Sequence, residues 1–246
     1  MPVALNEATK TLQVLLSGGK EYVCIMKLHD NISEDKVREV AEEFQGDIYQ
    51  KPPLRSSVKK ALRTRRIYYI DVLEVDKRHV LLRVCCQAGT YIRKLIHDMG
   101  EVLGCGAHMR ELRRTRVGPF SEDRGLTSLR DLVVAIEAYK AGDEKPLRSI
   151  VQPVEEVTAL IPKIWIRDTA VDAVCHGADL ALPGIVSLNS DIEVDDLVAL
   201  FTLKGELVAL GKALMTSEEM LEREKGVAVK TERVVMKPNT YPRMWK

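Results

Sequence analysis

Cysteine, long apolar runs and an excess of charge of either sign are all scarce in this chain of 246 residues. The five cysteines (Cys24, Cys85, Cys86, Cys105 and Cys175) form no CxxC pair, and an odd number is a poor disulfide framework. The five histidines are scattered with no ligand spacing, which excludes a recognisable metal site. No window approaches the roughly 18 to 20 continuous apolar residues of a membrane helix. No basic-then-apolar signal segment opens the chain. The expectation is a reduced, intracellular, cytoplasmic protein. The formal net charge is +1, so global charge says little about partners, while a hydrophobic fraction of 46% suffices for packed cores.

Local charge is more informative. Lys51 to Arg66, "KPPLRSSVKKALRTRR", carries seven Lys or Arg (Lys51, Arg55, Lys59, Lys60, Arg63, Arg65 and Arg66) and no acid. Ala107 to Gly118, "AHMRELRRTRVG", carries Arg110, Arg113, Arg114 and Arg116 against the single Glu111. Acids concentrate elsewhere, as in "SEDKVREVAEEF". Two acid-poor basic runs are a footprint of polyanion binding, because Lys and Arg that neutralise phosphates release counterions.

Lys20 to His29 reads as a strand, Ser33 as the cap of a helix striped by Val37, Val40, Ala41 and Phe44, and Gly46 as its stop. Ile67 to Val75 and Val80 to Cys86 read as a hairpin turning at "DKRH". Ile92, Leu95, Ile96, Met99, Val102 and Leu103 recur at helical spacing, between Gly89-Thr90 and Gly104. Ser128 starts another helix with Leu129, Leu132, Val133 and Ile136 on one face. Residues 1–155 therefore form an α+β domain with hairpins rather than a βαβ rhythm. From about Val157 short apolar runs alternate with Gly, Pro, Asn and Asp, and only Ser217 to Lys225 reads as helical. Residues 156–246 thus have the pattern of a small β-barrel.

Arg93 stands out in the second of these helices. It lies in the first turn, where the helix dipole is positive and a cation is disfavoured. Asp98 is five residues along, off the favoured spacing. "VLGCGA" imitates the glycine loop of a methyltransferase, but that loop must leave a strand and enter a helix. Here the glycines follow a helix, so they end it and turn the chain. Asp191, Glu193, Asp195 and Asp196 read as a solvated turn.

"GKEYVCIMKLH", "PPLRSSVKKALRTR", "AGTYIRKLIHDMGEVLGCGAHMRELRRTR", "HGADLALPGI" and the terminal "TYPRMW" together resemble the guide-RNA-dependent pseudouridine synthases of the TruB family, in the archaeal, dyskerin-like form with a C-terminal PUA domain. The likeness covers nearly the whole chain. It implies a mixed, mainly antiparallel sheet with flanking helices, followed by the PUA barrel. It implies isomerisation of a flipped-out uridine in structured RNA, started by an aspartate and needing no metal or organic cofactor. By position, Tyr22 matches the tyrosine that stacks on the flipped base. Tyr91 and Arg93 match the active-site tyrosine and the arginine that pairs with the catalytic aspartate. Leu112 matches a pocket-lining apolar residue. The run around Lys59 to Arg66 matches a thumb loop that closes over substrate RNA. His176, Gly177 and Ala178, within His176 to Ile185, belong to the segment that holds the guide RNA's lower stem and its ACA trinucleotide. The implied partners are box H/ACA guide RNA, substrate rRNA or tRNA, and small Nop-type, Gar-type and kink-turn-binding subunits.

One element of the pattern is absent. The family's Gly-Thr-Leu-Asp-Pro loop would precede "PVALNEATK", yet no Asp precedes Asp30. The expectation is a fragment or a late start codon, with an edge of the sheet left unpaired. A non-catalytic RNA-binding scaffold and a guide-independent tRNA enzyme stay open beside the guided synthase. The chain alone is expected to give no turnover on a guide-matched RNA. Pseudouridine-specific chemical labelling checks this, and clear product from the chain alone overturns it.

Overall fold

The computed structural model describes residues 1–51 and 61–244. They divide into two compact units: residues 16–125, and the residues from Leu126 onward together with Met1–Leu15. This division falls at 125/126, whereas the change of sequence texture is at 155/156. A 3-10 turn, Asn6–Thr11, leads into α1 (Leu12–Ser17).

The first unit is built on β1 (Lys20–Leu28), α2 (Glu34–Glu43), β2 (Gly46–Gln50), β3 (Arg63–Asp76), β4 (His79–Cys86), α3 (Ile92–Val102), β5 (Ala107–Val117) and the short β6 (Phe120–Ser121). The six strands form one antiparallel sheet in the order β2-β3-β4-β1-β5-β6. In β1, Cys24, Met26 and Leu28 are buried and share a face with their partners Leu82 and Val80 on β4. Helices α2 and α3 seal that face with Val37, Val40, Leu95, Ile96 and Met99. Ser33 is the N-cap of α2, as its position suggests, but its side chain makes no capping hydrogen bond. The hairpin turns at Lys77, in the left-handed region with φ 53°. Strand β3 begins at Arg63, four residues earlier than the apolar pattern indicates, so the last four residues of the basic run are strand. β5 carries too few apolar residues to announce itself as a strand.

The second unit contains α4 (Leu129–Lys140), α5 (Lys145–Ile150), β7 (Lys163–Ile166), α6 (Asp168–Cys175), β8 (Leu180–Ala181), β9 (Ile185–Leu188), β10 (Leu197–Phe201), β11 (Leu207–Ala213), α7 (Ser217–Glu222) and β12 (Val227–Val234). α4 starts with a capping box: the Ser128 hydroxyl accepts from the Asp131 amide at 3.1 Å, and the Asp131 carboxylate accepts from the Ser128 amide at 3.1 Å. Its expected apolar face is largely exposed, with Leu129 at 83% and Val133 at 59%, and only Ala135 of the helix is buried. The strands form a second sheet, β8-β12-β11-β10-β7-β9, antiparallel except for the β7/β10 pair. Hairpin β10–β11 turns at Lys204-Gly205, where Gly205 takes φ 82°. α6 was not legible as a helix; its Val171, Val174 and Cys175 sit in the core of this unit with Ile164, Leu200 and Val208.

One close approach sets the position of α3. A Cβ on Gly100 would lie 2.6 Å from the Cβ of Ala107, at the start of β5. Gly104 and Gly106, with φ 74° and 70°, make the turn between them, and the Gly106 amide donates to the Gly100 carbonyl at 2.9 Å. Gly100→Ala raises helix propensity by about 1 kcal/mol on an exposed surface. Here it is expected to cost about 2 kcal/mol by overpacking instead. The denaturant midpoint measures the sign directly.

Candidate functional site

The register gathers the sequence-predicted residues at one end of the first sheet. Lys20 pairs with Cys86, so β1 begins where β4 ends, and five residues after Cys86 the chain reaches Tyr91. β3 brings Arg63, Arg65 and Arg66 to the same end, because Ile67 pairs with Cys86. β5 brings Arg113, Arg114 and Arg116, opposite Val23, Tyr22 and Glu21. Gln50, the last residue of β2, pairs with Arg63.

Tyr22 is half-buried and packs against the α2–α3 core. A bulge at Thr115 sets Arg114 directly opposite Tyr22, and Leu112 lies directly opposite Cys24. Bulges of this kind re-aim side chains near functional sites. Burial pushes the Tyr22 phenol above its usual pKa, opposed by the nearby Arg114 guanidinium. Leu112 is 43% exposed, so plain core packing does not account for it. Burial also pushes the Cys24 thiol up to about 12 and the Cys86 thiol up to about 11, so neither is a thiolate at neutral pH.

Tyr91 is the N-cap of α3, two residues later than the Gly-Thr start expected for the helix. Arg93 is exposed in the first turn, and among the described residues no hydrogen bond or ion pair is found for its guanidinium. Asp98 is engaged instead by Lys94 at 2.5 Å. A cation at the positive end of a helix dipole is disfavoured unless an anion meets it.

The opposite face of the sheet carries a polar network. The Tyr69 hydroxyl and the Thr115 hydroxyl, the latter at 2.6 Å, both donate to Glu21. Arg116 lies 3.9 Å from the same carboxylate and 3.2 Å from the Cys85 sulfur. Burial alone would raise the Glu21 pKa. The hydrogen bonds from Thr115 and Tyr69 and the charges of Arg116 and Arg83 outweigh it, holding the carboxyl below its ordinary value.

Of the remaining predicted RNA-binding residues, Arg55, Lys59 and Lys60 lie outside the described residues. Arg110, Arg113 and Arg114 are exposed on β5, with Arg113 already paired to Glu122 at 2.9 Å. Arg65 lies against Gly89, whose φ is +81°, and its Nε is buried without a hydrogen-bond partner among the described residues. In the second unit, His176, Gly177 and Ala178 form the end of α6. The His176 ring is 2.8 Å from the Asp172 carbonyl, Gly177 takes φ 89°, and the Ala178 carbonyl accepts from Thr231 at 2.8 Å. Beside them α6 and residues 179–184 line a cavity of about 280 Å³, walled by Thr169, Ala173, Asp179, Leu180 and Gly184. The Glu21 network and Gln50 escaped the sequence reading: their partners are distant in the chain, and no local pattern marks them.

A model described as the TruB family pseudouridylate synthase N-terminal domain matches residues 1–92. A tRNA pseudouridylate synthase B C-terminal domain matches residues 93–159, and a PUA domain matches residues 162–235. The chain is 58% identical to "Probable tRNA pseudouridine synthase B" of Methanopyrus kandleri, over all of this chain and 72% of that protein. It is 58% identical to the protein of the same name in Thermococcus gammatolerans, over all of this chain and 74% of that one. Among solved structures it resembles a chain of a Cbf5-Nop10-Gar1 complex, with a TM-score of 0.94 at 57% identity, covering 98% of this chain and 74% of that one. It also resembles a chain of an H/ACA RNP bound to a substrate RNA containing 2'-deoxyuridine, with a TM-score of 0.91 at 54% identity, covering 98% and 74%. No helix among the described residues is long and apolar enough to cross a membrane.

Because the folded-state pKa of Glu21 is lowered, its contribution to stability is present above the unfolded-state value and is lost as pH falls through the folded one. Glu21→Gln is therefore expected to lower stability at pH 7, with the difference from the parent shrinking as pH falls below the ordinary carboxylate range. Paired denaturant titrations at neutral and acid pH check the convergence.

Proposed function

Because the chain belongs to the TruB family of pseudouridylate synthases, we propose that it is the RNA-holding, site-forming subunit of a guide-directed ribonucleoprotein that isomerises uridine to pseudouridine. In this reading residues 1–155 form the synthase domain and residues 156–246 the PUA domain. Tyr22 stacks on the flipped base, with Leu112 lining its pocket. Tyr91 and Arg93 face the reacting sugar, and Arg93 holds the catalytic carboxylate ionised and oriented. That carboxylate has no counterpart before Asp30. The basic groups from Arg55 to Arg66 and from Arg110 to Arg114 run along substrate RNA, while His176, Gly177 and Ala178 hold the guide. Nop-type, Gar-type and kink-turn-binding subunits complete the particle.

The observation that carries this reading is Arg93, a first-turn cation with no ion pair among the described residues, at the sheet end that also collects Tyr22, Tyr91 and the arginines of β3 and β5. The likeness to chains of a Cbf5-Nop10-Gar1 complex and an H/ACA RNP supports the guided form. The relatives named tRNA pseudouridine synthase B favour a second reading, direct action on tRNA.

Affinity for an H/ACA guide RNA and for a tRNA, titrated across salt, separates the two. Guided function predicts markedly tighter binding of the guide. Equal affinity, or preference for tRNA, favours direct action. In either case log K should fall with log salt with a slope of several units, and Arg66→Ala should reduce that slope by about 0.7 to 0.9. A flat salt response overturns the assignment of the basic runs to RNA.

A further inference from the structure

We propose that Gln50 is a positioning residue for this site: it fixes the backbone of Tyr91, and through it the direction of the Tyr91 ring. The inference rests on the reading of Tyr91 as an active-site tyrosine, and goes beyond it by naming what holds that residue.

Gln50 is 2% exposed, and a buried amide must find partners for both its donor and its acceptor. Both are found on one residue. The Gln50 amide nitrogen donates to the Tyr91 carbonyl at 3.2 Å, and its oxygen accepts from the Tyr91 amide at 2.9 Å. The carbonyl so engaged also begins α3, accepting from the amides of Lys94 and Leu95 at 3.0 Å each.

Helix stability by itself does not require this arrangement. In a capping box, a Glu or Gln at the third helical position reaches back to the N-cap amide. In α3 that position is Lys94, which is turned to Asp98 instead. Gln50 takes over the task from the end of another strand, 41 residues away in the chain. A local cap would stabilise the helix equally well. A cap from β2 also ties the start of the helix to the strand end next to Lys51 and the basic run.

Neighbouring contacts make the same connection. The Arg66 amide donates to the Gln87 side chain at 3.2 Å, and the Gln87 amide donates to the Arg66 carbonyl at 2.8 Å. The Arg65 guanidinium lies against Gly89, 3.4 Å from where a Cβ would stand. The segment from Gln87 to Tyr91 is thus gripped by the end of β2 and the start of β3. A shift of the basic strands is passed to Tyr91.

The test uses the full chain and a stem–loop RNA carrying one 5-fluorouridine in its loop. Gln50→Met keeps the volume and removes both hydrogen bonds. It is expected to speed exchange of the Tyr91 amide and to weaken the bound-state fluorine-19 signal about tenfold, with overall RNA affinity held within about twofold. Exchange at Met99 and Leu103, farther along the helix, should be unchanged. Gln50→Glu keeps the acceptor for the Tyr91 amide and should recover part of the fluorine signal; it also serves if the methionine variant does not fold. A wild-type fluorine signal in Gln50→Met overturns the positioning role. So does a loss of RNA affinity in step with the signal, which marks general unfolding. If the wild-type chain itself gives no fluorine shift, it is the reading of Tyr91 as an active-site residue that fails, a result distinct from the other two.

Discussion

The backbone contact between Gly100 and the start of β5 is the constraint on which the first unit depends. Helices usually rest on sheets at side-chain distance. Here the absence of a side chain lets α3 approach the sheet closely enough that even a methyl group would collide with Ala107. The helix is pinned near its C-terminal end by this contact and near its N-terminal end by Gln50. Between the two pins, Leu95, Ile96 and Met99 are fully buried. The functional consequence lies at the N-terminal pin. Tyr91 and Arg93 are presented from a helix that has little freedom to roll or slide over the strands bearing Tyr22 and Leu112.

Strand β1 divides labour by residue parity. Tyr22 and Cys24 face the helices, and Glu21 faces the Tyr69–Arg116 network on the other side. The bulge at Thr115 links the two faces: the inserted residue turns its hydroxyl to Glu21, and the residue before it, Arg114, is set opposite Tyr22. The polar network behind the sheet therefore holds the register that positions an arginine in front of it. Arg116 belongs to that network, although in sequence it is one more cation of a basic run.

What was legible in the sequence was local. The β-forming residues of β1, the stripe of α2, the β3–β4 hairpin and the glycines after α3 each announce themselves within a dozen residues, and the structure has each of them. β5 was illegible because its arginines fall on both faces and, between Ala107 and Val117, every side chain is exposed or only half-buried, so no apolar alternation marks it. α6 was illegible because it has eight residues, too few for a period to register. Arg93 could be singled out because a cation in a first turn violates a local rule. Gln50 could not, because a glutamine at a strand end violates none; its meaning lies in a residue 41 positions away.

The strand order also bears on how the chain folds. β1 lies between β4 and β5, whose residues begin at His79 and Ala107. Neither edge of β1 can be satisfied until most of the unit has left the ribosome. The β2–β3–β4 meander is sequential and can form earlier. Contacts so distant in sequence slow folding and prolong exposure of unpaired backbone. The half-exposed Val23 and Ile25 and the alternating charges of Lys20, Glu21 and Lys27 keep this waiting strand from being uniformly apolar. An interior strand of the sheet must thus stay soluble while it waits for both of its partners.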